Sequence, residues 1–135
     1  MFFKEVIHYC GTELMLFSKD LKLNNDLSEK IWKLVEYILS HQTKILINVH
    51  LDIIVICSIY IVLKVYNIKP TFKDIILIYQ NIPSHNAKRC EEIVLNIQLN
   101  KTTIIDITKF YNDIFLNAAR NFVVQFQTNE VNPSI

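Results

Sequence analysis

The chain has 135 residues, 51% of them hydrophobic and 20% charged, with a formal net charge of +1. That is the length of one domain with enough apolar content for a real core, which excludes intrinsic disorder. A single glycine, Gly11, cannot furnish the glycine-rich loops of nucleotide sites or tight primed hairpins, and the balanced charge leaves no broad positive field for nucleic acid.

In chain order, residues 2–18 place Phe3, Val6, Ile7, Cys10, Leu14 and Phe17 at helical spacing. Lys22 to Asp26 reads as a loop, and Asp26 with Glu29 resembles a capping box opening a helix over 28–46. Its stripe of Ile31, Leu34, Val35, Ile38 and Leu39 is the clearest amphipathic signal. A third helix is expected over 51–65, with His50 at its start. Its middle, Ile53 to Leu63, is apolar all round, so it must be wrapped by other elements. That run spans about 16 Å as a helix, half a bilayer core, and Asp52 and Lys64 bracket it, so a buried core helix is preferred to a membrane span. Thr71 with Asp74 caps a fourth helix over 71–81, stopped by Pro83. Residues 83–103 are mixed, and 91–99 carry no firm assignment. Thr103 with Asp106 repeats the capping pattern ahead of a last helix over 104–124, whose stripe is Ile104, Ile107, Phe110, Tyr111, Ile114, Phe115, Ala118, Phe122 and Val123. The domain is expected over 1–127, with 128–135 a frayed polar tail. The expectation is an all-α fold of five helices around a buried third.

Residue chemistry alone names no activity. Cys10, Cys57 and Cys90 are an odd, widely spaced set that fits neither a disulfide framework nor a metal site and suits a reducing compartment. His8, His41, His50 and His85 lack metal-ligand spacing, so no metal or cofactor is expected. Tyr60 and Lys64 match a dehydrogenase spacing, but the dinucleotide loop that chemistry needs is missing. Cys57 sits in an apolar helix with no histidine near in sequence, the setting of an inert thiol. The N-terminus is charged too early for a secretory signal.

Two blocks carry more. The first runs His50-Leu51-Asp52, Cys57-Ser58-Ile59-Tyr60, Lys64-Val65-Tyr66-Asn67-Ile68 and Phe72-Lys73, with Ile82-Pro83 beyond; the second is Phe110-Tyr111-Asn112-Asp113-Ile114-Phe115. Together they resemble the B-box of retinoblastoma-family pocket proteins, over roughly Phe2 to Phe126. The resemblance implies a cyclin-like five-helix fold and a nuclear, non-enzymatic module of a transcriptional repressor and cell-cycle regulator. Its expected partners are extended peptides bearing Leu-x-Cys-x-Glu, from chromatin-modifying corepressors and viral oncoproteins, and no sequence-specific DNA binding is implied. Carried across, the peptide groove would use Cys57, Tyr60, Lys64 and Val65, then Phe72 and Lys73, then Thr108, Tyr111, Asn112 and Leu116. Arg120 would join Lys64 and Lys73 in a basic rim. The backbone amides of Phe72 and Lys73 would seat the peptide glutamate.

The sequence departs from the family pattern in places. Thr108 stands where an aliphatic residue is usual, Ile61 where a glycine is familiar, and Tyr66 where a basic residue is. No Ser-Pro or Thr-Pro pair occurs. No A-box is expected ahead of the matched residues, and the resemblance implies that S-phase transcription factors are held largely at the A/B seam. The expectation is therefore an uncovered apolar flank that self-associates, binds an A-box or aggregates. Other cyclin-fold modules, a kinase-binding cyclin or a general transcription factor of the TFIIB type, are the alternative reading.

Overall fold

A computed structural model describes residues 2–126, so the expected tail at 128–135 lies outside the described residues. Helix α1 (Phe2–Leu21) is followed by α2 (Asn25–His41) and a short 3-10 turn (Thr43–Leu46). Helices α3 (Leu51–Val65), α4 (Phe72–Asn81) and α5 (Ala87–Leu95) come next. A two-residue antiparallel ribbon joins β1 (Ile97–Gln98) to β2 (Ile104–Ile105), in the register Ile97–Ile105 and Gln98–Ile104. The chain ends in one helical rod: α6 (Ile107–Phe110), a π turn (Tyr111–Phe115), α7 (Leu116–Val123) and a 3-10 turn (Val124–Phe126).

The architecture is all-α, with α3 at its centre and α1, α2, α4 and α7 packed around it. Every residue from Asp52 to Leu63 is buried, and most are 0% exposed. A helix apolar on every side has no face to give to water, so its neighbours must close over all of it. Among the described residues, no helix is long and apolar enough to cross a membrane.

Two helix ends show how the fold manages with so little glycine. Past α3, Asn67 takes φ 55°, and the amides of Asn67 and Ile68 donate to the carbonyls of Lys64 and Leu63 at 3.0 and 2.8 Å. Past α1, Lys22 takes φ 54° and Leu23 donates to Ser18. Both follow the left-handed termination usually given to glycine; Asn tolerates it best among the other residues.

Four details differ from the sequence reading. Asn24, not Asp26, caps α2, accepting from the Leu27 amide at 2.8 Å, while Asp26 pairs with Lys30 one turn on. The helix expected over 28–46 breaks at His41, and only a 3-10 turn covers 43–46. The five-helix count is short by α5, which Asn86 caps and Cys90 and Val94 anchor. The last helix begins at Ile107 rather than 104: Asp106 caps it alone through the Lys109 amide, and Ile104 and Ile105 belong to the ribbon. The Thr71–Asp74 capping box forms as expected, with both reciprocal hydrogen bonds.

A polar cluster ties α1 to the α3 and α4 ends. Tyr9 Oη donates to Asp52 Oδ1 at 2.6 Å, and Tyr79 Oη donates to Asp52 Oδ2. His50 Nδ1 accepts from the Asp52 amide, capping α3. His85 donates from Nδ1 to the Tyr79 carbonyl at 2.8 Å, and its Nε2 lies 3.0 Å from Glu13 Oε1. Burial lowers the His85 pKa, but the Tyr79 carbonyl and Glu13 outweigh it, and the net shift is upward from 6.5. Burial and Asp52 raise Glu13 above its usual 4.5, against the opposing pull of His85. Both groups hold a proton more tightly folded than unfolded. Their contribution is full below the unfolded values and is lost as pH rises through the folded ones. The domain is therefore expected to melt at progressively lower temperature as pH rises from about 5 to 8. The titratable groups facing this pair are Asp52, Tyr9, Tyr79, Cys10 and Cys90. Thermal melts of wild type and His85→Gln check it: a wild-type profile as flat as the variant's above pH 6.5 would be the contrary result.

Candidate functional site

Three aromatic rings join α3, α4 and the last helix. Tyr60 meets Phe72 and Tyr111 edge-on at centroid distances of 5.0 and 5.2 Å, and Phe72 lies 5.7 Å from Tyr111. Edge-to-face contacts of this kind fix ring orientation as well as burying area. Tyr111 is fully buried, whereas Tyr60 and Phe72 each keep a sliver of surface, 7%. The triad is thus a floor, with Tyr111 at the bottom. Burial raises the Tyr60 pKa, so its hydroxyl stays a neutral donor and acceptor.

Over this floor lies an open groove of about 750 Å³, lined by Tyr60, Lys64, Thr71, Phe72, Lys73, Ile76, Leu77, Gln80 and Thr108. One wall is the outer face of α4. From Phe72 to Gln80 it runs about 12 Å, at 1.5 Å per residue. The other wall comes from α3 and the start of α6. Lys64 and Lys73 supply the cations; Ile76 and Leu77 supply apolar surface, with Leu77 47% exposed.

The structure brings five of the sequence-expected site residues to this groove: Tyr60, Lys64, Phe72, Lys73 and Thr108. It does not bring the others to the lining. Cys57 and Tyr111 are 0% exposed, so they support the floor from beneath and cannot meet a ligand directly. Burial pushes the Cys57 thiol well above its usual value, in keeping with an inert side chain. Val65 and Leu116 are buried at 4% each. Asn112 and Arg120 are exposed on the last helix, outside the groove lining.

The π turn explains the displacement of Leu116. On a uniform helix, Thr108, Tyr111, Asn112 and Leu116 share one face at i, i+3, i+4 and i+8. Here the Leu116 amide bonds the Tyr111 carbonyl five residues back. The extra residue places Leu116 over Tyr111 rather than over Asn112, and it turns inward. The core stripe shifts with it: Leu116 and Ala119 are buried beside the expected Val123, while Ala118 and Phe122 are only half-buried. Thr71, Ile76, Leu77 and Gln80 are the lining residues that sequence reasoning missed. The i, i+4, i+8 series from Phe72 to Ile76 and Gln80 was the available signal.

A second groove, of about 670 Å³, lies between α1 and α2, lined by Leu14, Met15, Leu23 and Trp32 among others. Met15 is 73% exposed there.

An all-α, cyclin-like domain with a cation-rimmed surface groove over an aromatic floor is the class these features define. The match extends to family level: the chain fits the family described as the retinoblastoma-associated protein B domain over residues 1–120. It belongs to that family. It is 29% identical to retinoblastoma-related protein 3 of Zea mays over 131 residues, covering 93% of this chain and 13% of that protein. Retinoblastoma-related protein 1 of Nicotiana benthamiana is 26% identical, with the same coverage of both. Retinoblastoma-like protein 1 of Rattus norvegicus is 24% identical over 93% of this chain and 15% of its own length. The chain thus spans only about an eighth of the length of these curated relatives.

Proposed function

We propose that this domain acts by binding rather than by catalysis, and that its α3–α4–α6 groove holds extended peptides bearing Leu-x-Cys-x-Glu. The protein it serves would be a retinoblastoma-like transcriptional repressor and cell-cycle regulator in the nucleus, with chromatin-modifying corepressors and viral oncoproteins as partners. The observation that carries this reading is the groove's match in length and chemistry. Leucine to glutamate is four residue steps, about 13 Å when extended, against about 12 Å of α4 wall. The glutamate would meet Lys73, Lys64 and the free first-turn amides of Phe72 and Lys73, which the capping box leaves unused. Apolar side chains would lie on Phe72, Ile76 and Leu77. The apolar α1–α2 groove, with Met15 exposed, supports an uncovered flank where an A-box or another copy would seat, and transcription factors would use the resulting seam.

Calorimetry with a Leu-x-Cys-x-Glu peptide tests the groove. A peptide with glutamine for the glutamate should bind about tenfold less tightly, because the cations and helix terminus favour a full charge. Lys73→Ala should matter mainly at low salt, since its ammonium is exposed. Equal affinity across these pairs, or no binding of the parent peptide at high micromolar concentration, would reject the reading.

A further inference from the structure

The only glycine of the chain stands in the middle of α1, with no positive φ to call for it. Glycine is the poorest interior helix residue after proline. A Cβ at Gly11 would meet only the Trp32 ring, at 3.7 and 3.8 Å, which is ordinary van der Waals contact. Nothing inside the fold therefore excludes alanine there. What the missing side chain leaves is a notch that opens the Trp32 ring to the α1–α2 groove. One turn further along the same face, Met15 is 73% exposed, more than any other large hydrophobic among the described residues. A hole and a knob thus sit four residues apart on one helix.

We propose that α1 pairs with α1 of a second copy of this chain, antiparallel across a two-fold axis, with Met15 of each copy seated in the Gly11 notch of the other. The inference rests on the uncovered-flank reading above. A two-fold interface must be self-complementary, and a register that sets Met15 opposite Gly11 also sets Gly11 opposite Met15. The seated thioether lies against the Trp32 ring of the other copy, a sulfur–ring contact at a backbone separation that glycine permits. The same register sets Ser18 opposite His8 and lays the Lys19 stem over Ile7. Charge agrees with it. Glu5 in the first turn and Lys19 in the last lie on one flank of the Gly11–Met15 face. Neither has an ion-pair partner among the described residues. Antiparallel helices bring like flanks together, so Glu5 of each copy meets Lys19 of the other, and the helix dipoles oppose. An A-box would have to bring its own complement to this face, whereas this chain carries both halves.

Sedimentation equilibrium of the whole chain, loaded from about 5 to 500 µM, is the readout, because an interface built on one helix pair is small and weak. Wild type should move from the mass of one chain toward twice that mass across this range. Met15→Lys and Gly11→Leu should each raise the dissociation constant by about tenfold or more. Both variants should fold, since Met15 faces water and leucine is the better helix former; Gly11→Leu should melt no lower than wild type. The double variant Gly11→Met, Met15→Gly exchanges knob and hole. Under the two-fold register it should recover the dimer to within about threefold of the wild-type constant. A double variant that stays monomeric, or single variants that dimerise like wild type, would overturn the inference. So would a wild type that is monomeric throughout, and an added A-box fragment of a pocket protein then decides the wider reading. If the fragment binds and Met15→Lys abolishes binding, the flank belongs to an A-box and that reading stands without the second copy. If the fragment does not bind, both fall together.

Discussion

Asp52→Ala is expected to cost this domain about 3–4 kcal/mol, because it removes the acceptor for a buried tyrosine hydroxyl and a carboxylate from the first turn of α3. Tyr79 is fully buried and would keep an unpaired hydroxyl in an apolar setting. Tyr9 is 39% exposed, so its hydroxyl turns to water at little cost. The asymmetry yields a sharper form of the same expectation. Tyr79→Phe in the Asp52→Ala background should recover part of the loss, since the orphaned group is gone, although Tyr79→Phe alone destabilises. Urea denaturation of the four proteins in the cycle measures this. A cost for Asp52→Ala below about 1 kcal/mol, the range of a surface substitution, would mean the cluster is not a structural tie.

Ile56→Ala should cost about 2–5 kcal/mol, within the range for deleting a large aliphatic side chain from a packed core. Ile56 lies in mid-α3 with no exposure, and four helices enclose that element. The site can collapse only if one of them moves, and each is held elsewhere, so the upper half of the range is expected. For a domain whose total stability is of order 5–15 kcal/mol, that leaves a protein near its threshold. Ile56→Val, which removes one methyl, should cost about 1 kcal/mol. Denaturant midpoints give both numbers, and equal midpoints for alanine and valine would contradict a rigid enclosure of α3.

How far the fold could be read in advance follows from which signals are local. The centrality of α3 was plain, because an apolar run without a polar face has one structural solution. The capping box at Thr71 was equally plain, since both partners lie three residues apart. Asn24 rather than Asp26 caps α2, a choice no local signal fixes, because several polar residues in a row can each cap and the outcome depends on where the chain leaves α1. The ribbon of Ile97–Gln98 and Ile104–Ile105 pairs residues across a loop with no glycine or hairpin signature, and only tertiary packing selects it. In the groove, Tyr60, Lys64, Phe72, Lys73 and Thr108 were legible through the family blocks. Cys57 and Tyr111 were misplaced because family blocks record residues needed at a site without separating those beneath it from those upon it. Leu116 was misplaced because periodicity assumes constant pitch.

That break in pitch has a consequence beyond the groove. Before Tyr111 the residues that meet the core are Ile107 and Phe110; after Phe115 they are Leu116, Ala119 and Val123. The rod carries one spare residue, and the two halves keep separate calendars. Substitutions that reshape the groove at Thr108 leave undisturbed the alternation by which Ala119 and Val123 seal against the neighbouring helices. A one-residue deletion between Tyr111 and Phe115 would merge the calendars: it removes the spare residue, and a helix of uniform pitch then carries Ala119 and Val123 to the core at the positions where periodicity expects 118 and 122. In comparisons among relatives, a single gap at this point therefore marks a change of length rather than of face.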